Sequence, residues 1–325
     1  MPQPSADSSA GRTTAMTRKV LVAVDGSPYS ANSIGYLARL FDGVGAMEFH
    51  LFNVFVASIP ETQVAWIDEN DLRHDLDPID LKKYQTIAHC LKKAGHLLAR
   101  HGIGPHQVKQ VIRLARRGMA PDLLHEARAG LYDALLIGRR GLSMVQEMIL
   151  GSVSKTVLQK CHDVPIWLID GQVDSRKFLV PIDGTVHSLR AVDHLAFILR
   201  GNPHAEVTLF HSPQMFAGKP EMNTPEFAAI WGEEWCAAHL TGPDRLFHAP
   251  EQLLRENDFP PARLHRLETR LGLYPSSQIV RQALVDDFGT IVMGRRPGDA
   301  KKGLFGGVTD KVLALAEQVA IWIVG

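Results

Sequence analysis

IGRRGLSMVQEMILGSVSKTV, residues 137–157, decides how the rest of the chain is read. The apolar run Ala134, Leu135, Leu136, Ile137 leading into it suits a strand buried on both faces. Gly138 ends the run, Gly141 follows, and nine further residues lead to Gly151 and Ser152. A helix is predicted to begin there, with Ser152 or Ser154 as its cap and Val153, Val157 and Leu158 at helical spacing. Glycines let a backbone approach a ligand closely, and the free N–H groups at a helix start favour an anion. Strand, glycine loop and helix start outline a phosphate cradle. A glycine-rich turn without a ligand is the plainer alternative.

Outward from this stretch, strand and helix patterns alternate. Residues 19–27, KVLVAVDGS, read as a central parallel strand ending in Asp25, Gly26 and Ser27. Helices are predicted over 30–41, 79–101 and 118–129, and strands over 48–56, 108–114 and 164–169. Residues 57–77 read as a surface loop. The order predicts an α/β fold with a parallel sheet.

The whole pattern then recurs. KVLVAVDGSPYS at Lys19 returns as KFLVPIDGTVHS at Lys177, and LLIGRR ending at Arg140 returns as IVMGRR ending at Arg296. GSVSKTV at Gly151 returns as GGVTDKV at Gly306, and VPIWLID at Val164 as VAIWIVG at Val319. Copies this long are whole domains rather than solenoid repeats. The expected organisation is a disordered tail over 1–17, one domain over 18–172 and a second over 173–325, joined by a short polar linker.

The G-x2-G-x9-G-S spacing, repeated within a duplicated α/β chain, resembles the nucleotide-binding motif of the universal stress protein family. The resemblance covers nearly the whole chain except the tail. It implies two tandem domains, each a five-stranded parallel sheet with helices on both faces, of the adenine nucleotide alpha hydrolase-like type. It further implies that the last strands of the two domains meet, making a pseudo-dimer within one chain, and it leaves room for a homodimer. The ligand it implies is ATP, or ADP or AMP, with or without Mg2+. By match to the motif, Ala23 and Asp25 at the end of the first strand would face the nucleotide, and the Val54 backbone would read the adenine edge. Gly138, Gly141, Gly151, Ser152, Val153 and Ser154 would hold phosphate and ribose. A tentative second site comprises Asp183, Gly294, Gly306 and Thr309. There Pro297 replaces the second glycine and Gly307 the serine, while Lys301 and Lys302 add positive charge. That departure predicts one competent site per chain, in the first domain.

Other signals point away from chemistry. Lys+Arg and Asp+Glu are both 35, so no global field recruits nucleic acid or an anionic membrane. Hydrophobic residues at 45% and charged residues at 22% are ordinary for a folded globular chain. Three separated cysteines form no C-x-x-C pair, which suits a reducing cytoplasm. His89, His96, His101 and His106 lack tight ligand spacing. Arg139 and Arg140 read as solvated residues rather than phosphate ligands. Phe227, Ile230, Trp231 and Trp235 read as one amphipathic helix packed on the core. No catalytic residue is assigned. The rivals to a nucleotide-binding stress-response regulator are a nucleotide-independent interaction or small-molecule (lipid) binding module and a very slow ATPase.

Overall fold

The structure, a computed structural model, describes residues 16–58, 76–139, 150–212, 222, 224–268, 274–296 and 307–325. All but the last two residues of the expected tail, and most of the expected surface loop over 57–77, lie outside them.

Val20, Leu21 and Val22 are fully buried in β1 (Arg18–Ala23). Alternate residues of a strand face opposite sides, so Val20 and Val22 join one apolar core and Leu21 the other. After β1 the first half runs α1 (Pro28–Leu40), β2 (Met47–Phe55), α2 (Pro78–Arg100), β3 (Val108–Leu114) and α3 (Met119–Ala129). It ends with β4 (Ala134–Gly138), α4 (Ser152–Lys160) and β5 (Ile166–Ile169). The second half runs β6 (Lys177–Pro181), α5 (Val186–Leu199), β7 (Glu206–His211), α6 (Pro225–Trp231), α7 (Glu233–His239) and α8 (Arg245–Glu256). It closes with β8 (Leu264–Glu268), α9 (Pro275–Val285), β9 (Thr290–Gly294), α10 (Val308–Leu315) and β10 (Ala320–Val324).

The ten strands among the described residues form one sheet in the order β3-β2-β1-β4-β5-β10-β9-β6-β7-β8. Pairing is parallel within each half, as alternating strands and helices require. It is antiparallel where β5 meets β10. The last strands of the two copies do meet, and the halves pair within the chain as copies related by a pseudo-two-fold axis.

At the seam Trp167 lies opposite Trp322, their rings stacked with centroids 3.9 Å apart and both fully buried. Trp167 Nε1 donates to His194 Nε2 at 3.2 Å. Burial pushes the His194 pKa down to about 3, so the ring stays neutral and can accept that bond. Reciprocal caps surround the seam. The Arg18 guanidinium donates to the carbonyls of Phe197, Ile198 and Arg200 at the end of α5, and Asn202 Nδ2 donates to Leu40 O at the end of α1. Each half thereby satisfies carbonyls that a helix C-terminus leaves without partners.

The stretch from Phe227 to Trp235 is two short helices rather than one. Gly232 breaks it with φ of 84°, a left-handed conformation that glycine adopts at little cost. Packing on the core holds for Phe227, which is buried, but Ile230 is exposed.

Candidate functional site

β1 and β4 are parallel neighbours, so their C-terminal ends open on the same edge of the sheet. In such sheets a ligand crevice forms beyond the strand ends. A cavity of about 260 Å³ lies there. It gathers Ala23 and Asp25 from the end of β1, Val54 from β2, Gly138 from β4, and Gly151, Ser152, Val153 and Ser154 from the start of α4. Every described residue of the first half that the motif match assigns to the nucleotide thus borders one space. Gly141 lies outside the described residues, as does Arg140.

The helix start differs from the expected cap. Gly151 is the N-cap, with φ −65° and ψ 154°, and Ser152 is already the first helical residue. The Ser154 hydroxyl donates instead to Gly138 O at 2.8 Å, tying the first turn of α4 to the end of β4. The Gly151 N–H donates to Arg139 O at 2.9 Å. The N–H groups of Ser152, Val153 and Ser154 occupy first-turn positions, which have no acceptor within the helix.

Asp25 also has a local task. Its Oδ1 accepts the Ser27 N–H at 2.9 Å, and Ser27 Oγ in turn caps α1 by accepting the Ser30 N–H at 3.2 Å. Turn formation and a place on the cavity wall coexist in one side chain. Next to Val54, Asn53 Nδ2 donates to Val24 O at 2.6 Å, pinning the end of β2 to the segment after β1.

Sequence reasoning missed the apolar wall: Phe52, Met119 and Leu123 also border the cavity. Periodicity marks Ala120, Leu123, Leu124 and Ala127 as the buried face of α3 without saying which of them reaches a ligand.

Arg139 is not solvated. It is 2% exposed, with Nη1 3.0 Å from Asp170 Oδ2 and Nη2 donating to Leu313 O at 2.7 Å; Nη1 also donates to Ala316 O. It spans the seam to the C-terminal end of α10, where a cation complements the helix dipole and unpaired carbonyls. Arg295 repeats the arrangement from the other half. It is 4% exposed and donates to Leu158 O in α4.

The second half has its own cavity, of about 380 Å³, at the ends of β6 and β9. Asp183, Gly294 and Thr309 border it; Gly306 and Pro297 lie outside the described residues, as do Lys301 and Lys302. Thr309 Oγ1 donates to Gly294 O at 3.1 Å, the counterpart of the Ser154 bond. A Cβ on Gly294 would collide with His187 O, so close packing of β9 on α5 already requires a glycine there. Arg296, His187 and Lys311, not singled out from the sequence, border this second space. Among the described residues no three His, Cys, Asp or Glu side chains are placed to hold a metal ion. No helix of the described residues is long and apolar enough to cross a membrane.

Residues 16–169 match the Universal stress protein family. Those residues, the first half of the chain, belong to the universal stress protein family. The universal stress protein YxiE of Bacillus subtilis (strain 168) is 28% identical over 148 residues, which are 44% of this chain and 93% of that protein. A universal stress protein from Archaeoglobus fulgidus DSM 4304 has a TM-score of 0.59 at 17% identity, covering 95% of this chain and 96% of its own. A functionally unknown protein from Pseudomonas aeruginosa PAO1 has a TM-score of 0.50 at 15% identity, covering 95% and 92%. At these identities the likeness is one of fold, and it spans both halves of the chain.

Proposed function

We propose that this universal stress protein is a cytoplasmic regulatory module that binds ATP, ADP or AMP in its first-half cavity and is not a dedicated enzyme. The observation that carries this reading is the convergence of Asp25, Val54 and the first turn of α4 on one cavity. The N–H groups of Ser152, Val153 and Ser154 would donate to phosphate oxygens, with the positive end of α4 behind them. The Asp25 carboxylate would accept from a ribose hydroxyl. Phe52, Met119 and Leu123 offer apolar area for a base, whose edge the Val54 backbone would meet. Mg2+ would enter bound to the nucleotide phosphates, since the described protein residues offer no cluster of their own for it. Hydrolysis would need a water-positioning group and a held metal. Asp25 is the one carboxylate among the described lining residues, and its Oδ1 already accepts the Ser27 N–H.

Mass spectrometry of the protein as purified is expected to find adenine nucleotide, and calorimetry with ATP, ADP and AMP to give one site per chain. A folded protein that binds none of the three would remove this reading in favour of an interaction or small-molecule module.

A further inference from the structure

The two cavities differ in the feature that decides their ligand. Among the described residues, the first is bordered by no Lys, Arg or His, and the second by Arg296, Lys311 and His187. Among the described residues the second has one lining carboxylate, Asp183, and it is engaged by the protein. Its Oδ1 accepts from Thr185 N at 3.1 Å and from the Thr185 hydroxyl at 2.5 Å, and its Oδ2 lies 3.9 Å from Arg296 Nη2. Asp310, in the first turn of α10, does not border the cavity; it is 1% exposed and lies 3.9 Å from Arg295. Burial holds the His187 pKa below its usual value, so the ring is neutral near pH 7, and its Nδ1 has no hydrogen-bond partner. Among the described residues, two lysine or arginine cations thus border a space whose one lining acid is already held.

The second cavity lacks the described β-strand wall where a base would lie in the first. The Val24 N–H donates to Phe52 O and the Ile182 N–H to Phe210 O, so His211 and Ser212 stand where the first half has Asn53 and Val54. Asn53 and Val54 are half-buried and border the first cavity. Ser212 is fully buried, and the His211 ring meets the Phe247 ring of α8 edge-on with centroids 6.3 Å apart. Among the described residues, none from β7 borders the second cavity.

We infer that the cavity at the ends of β6 and β9 is a site for a compact phosphate-class anion, free phosphate or a small phosphomonoester, and not for a nucleotide. Arg296 and Lys311 supply charge-assisted bonds, and the first-turn N–H groups of Val308 and Thr309 supplement them. The inference stands apart from nucleotide binding in the first half.

Calorimetry on the full chain in phosphate-free buffer at constant ionic strength tests it, with inorganic phosphate and glycerol phosphate titrated separately. One saturable site is expected for at least one of them, and the tighter of the two identifies the source of the phosphate group. Arg296 and Lys311 are both exposed, so a variant combining Arg296→Gln and Lys311→Gln should melt like the parent when no anion is added. It should bind the anion at least about tenfold more weakly, the loss of charge-assisted bonds. Saturating adenosine should leave anion binding unchanged, whether or not adenosine itself binds. Absence of a saturable heat with both anions, an unchanged affinity in the double variant, or displacement by adenosine would each overturn the assignment.

Discussion

The Asp25 carboxylate holds the turn before α1 through the Ser27 N–H and also borders the first cavity. Substitutions can part the two tasks. Asp25→Ala is expected to weaken ATP by about 1–3 kcal/mol, the worth of a hydrogen bond to a charged group, and to lower stability through the lost turn. Asp25→Asn keeps an acceptor for Ser27, so it should restore the melting temperature while ATP affinity stays below that of the parent. If Asp25→Ala lowers the melting temperature and leaves affinity unchanged, the residue is a turn former alone. Gly151 offers a cleaner probe of the cradle. Its φ of −65° is open to any residue, so Gly151→Val is expected to fold. A side chain at this bordering position should block phosphate from the first turn of α4 and abolish ATP binding by calorimetry. Parental affinity in the folded variant would move the site elsewhere.

At the scale of elements, each glycine loop begins with a buried arginine that reaches the far end of the other half's cradle helix. Arg139 donates to Leu313 O and Ala316 O at the end of α10, and Arg295 to Leu158 O in α4. Arg139→Met would leave those α10 carbonyls without their donor and Asp170, 8% exposed, without its cation. Breaking a buried pair in this way costs about 3–5 kcal/mol, and urea unfolding should report a loss of that order. A loss typical of an exposed pair, under about 1 kcal/mol, would show that the seam tolerates the gap.

Across the whole molecule, the β5–β10 seam joins the halves into one sheet. A fragment of residues 18–172 would leave one edge of β5 unpaired and Trp167 without the stacked Trp322 ring. Such an edge invites pairing with a second copy, so the fragment should run as a dimer in light scattering. A stable monomer would show that the seam is dispensable. The seam also sets an acid limit. His194 has a pKa of about 3 in the folded chain, well below the ordinary histidine value that applies when unfolded. Between those values the unfolded chain binds the extra proton and the folded chain does not, so stability falls as pH drops below about 6.5 and levels off near the folded value. At pH 5 this one group would cost about 2 kcal/mol. His194→Gln keeps an acceptor for Trp167 Nε1 and should flatten the acid slope of the unfolding free energy. An unchanged slope would assign it to other groups.

The sequence by itself determined the fold class and the duplication, and it named Ala23, Asp25, Val54, Gly138, Gly151, Ser152, Val153 and Ser154, which border the first cavity. Strand burial, helical period and glycine spacing are local properties of the chain, and an order-preserving repeat needs no geometry to be seen. Val20 to Val22 and a helix beginning close to Gly151 were legible on those terms, whereas the meeting of the Trp167 and Trp322 strands followed from the family resemblance. The tertiary structure alone decided where Arg139 and Arg295 end. An arginine in a glycine loop has the same composition whether it meets water, phosphate or a helix end some 170 residues away, and only packing across the seam selects among them. It alone decided the apolar wall of Phe52, Met119 and Leu123, because periodicity marks a buried face without naming its neighbour. It alone decided that no described residue of β7 borders the second cavity and that the His211 ring meets Phe247 of α8 edge-on. Contacts between residues far apart in the chain carry no local signal, and these are the contacts that separate the two halves of this chain.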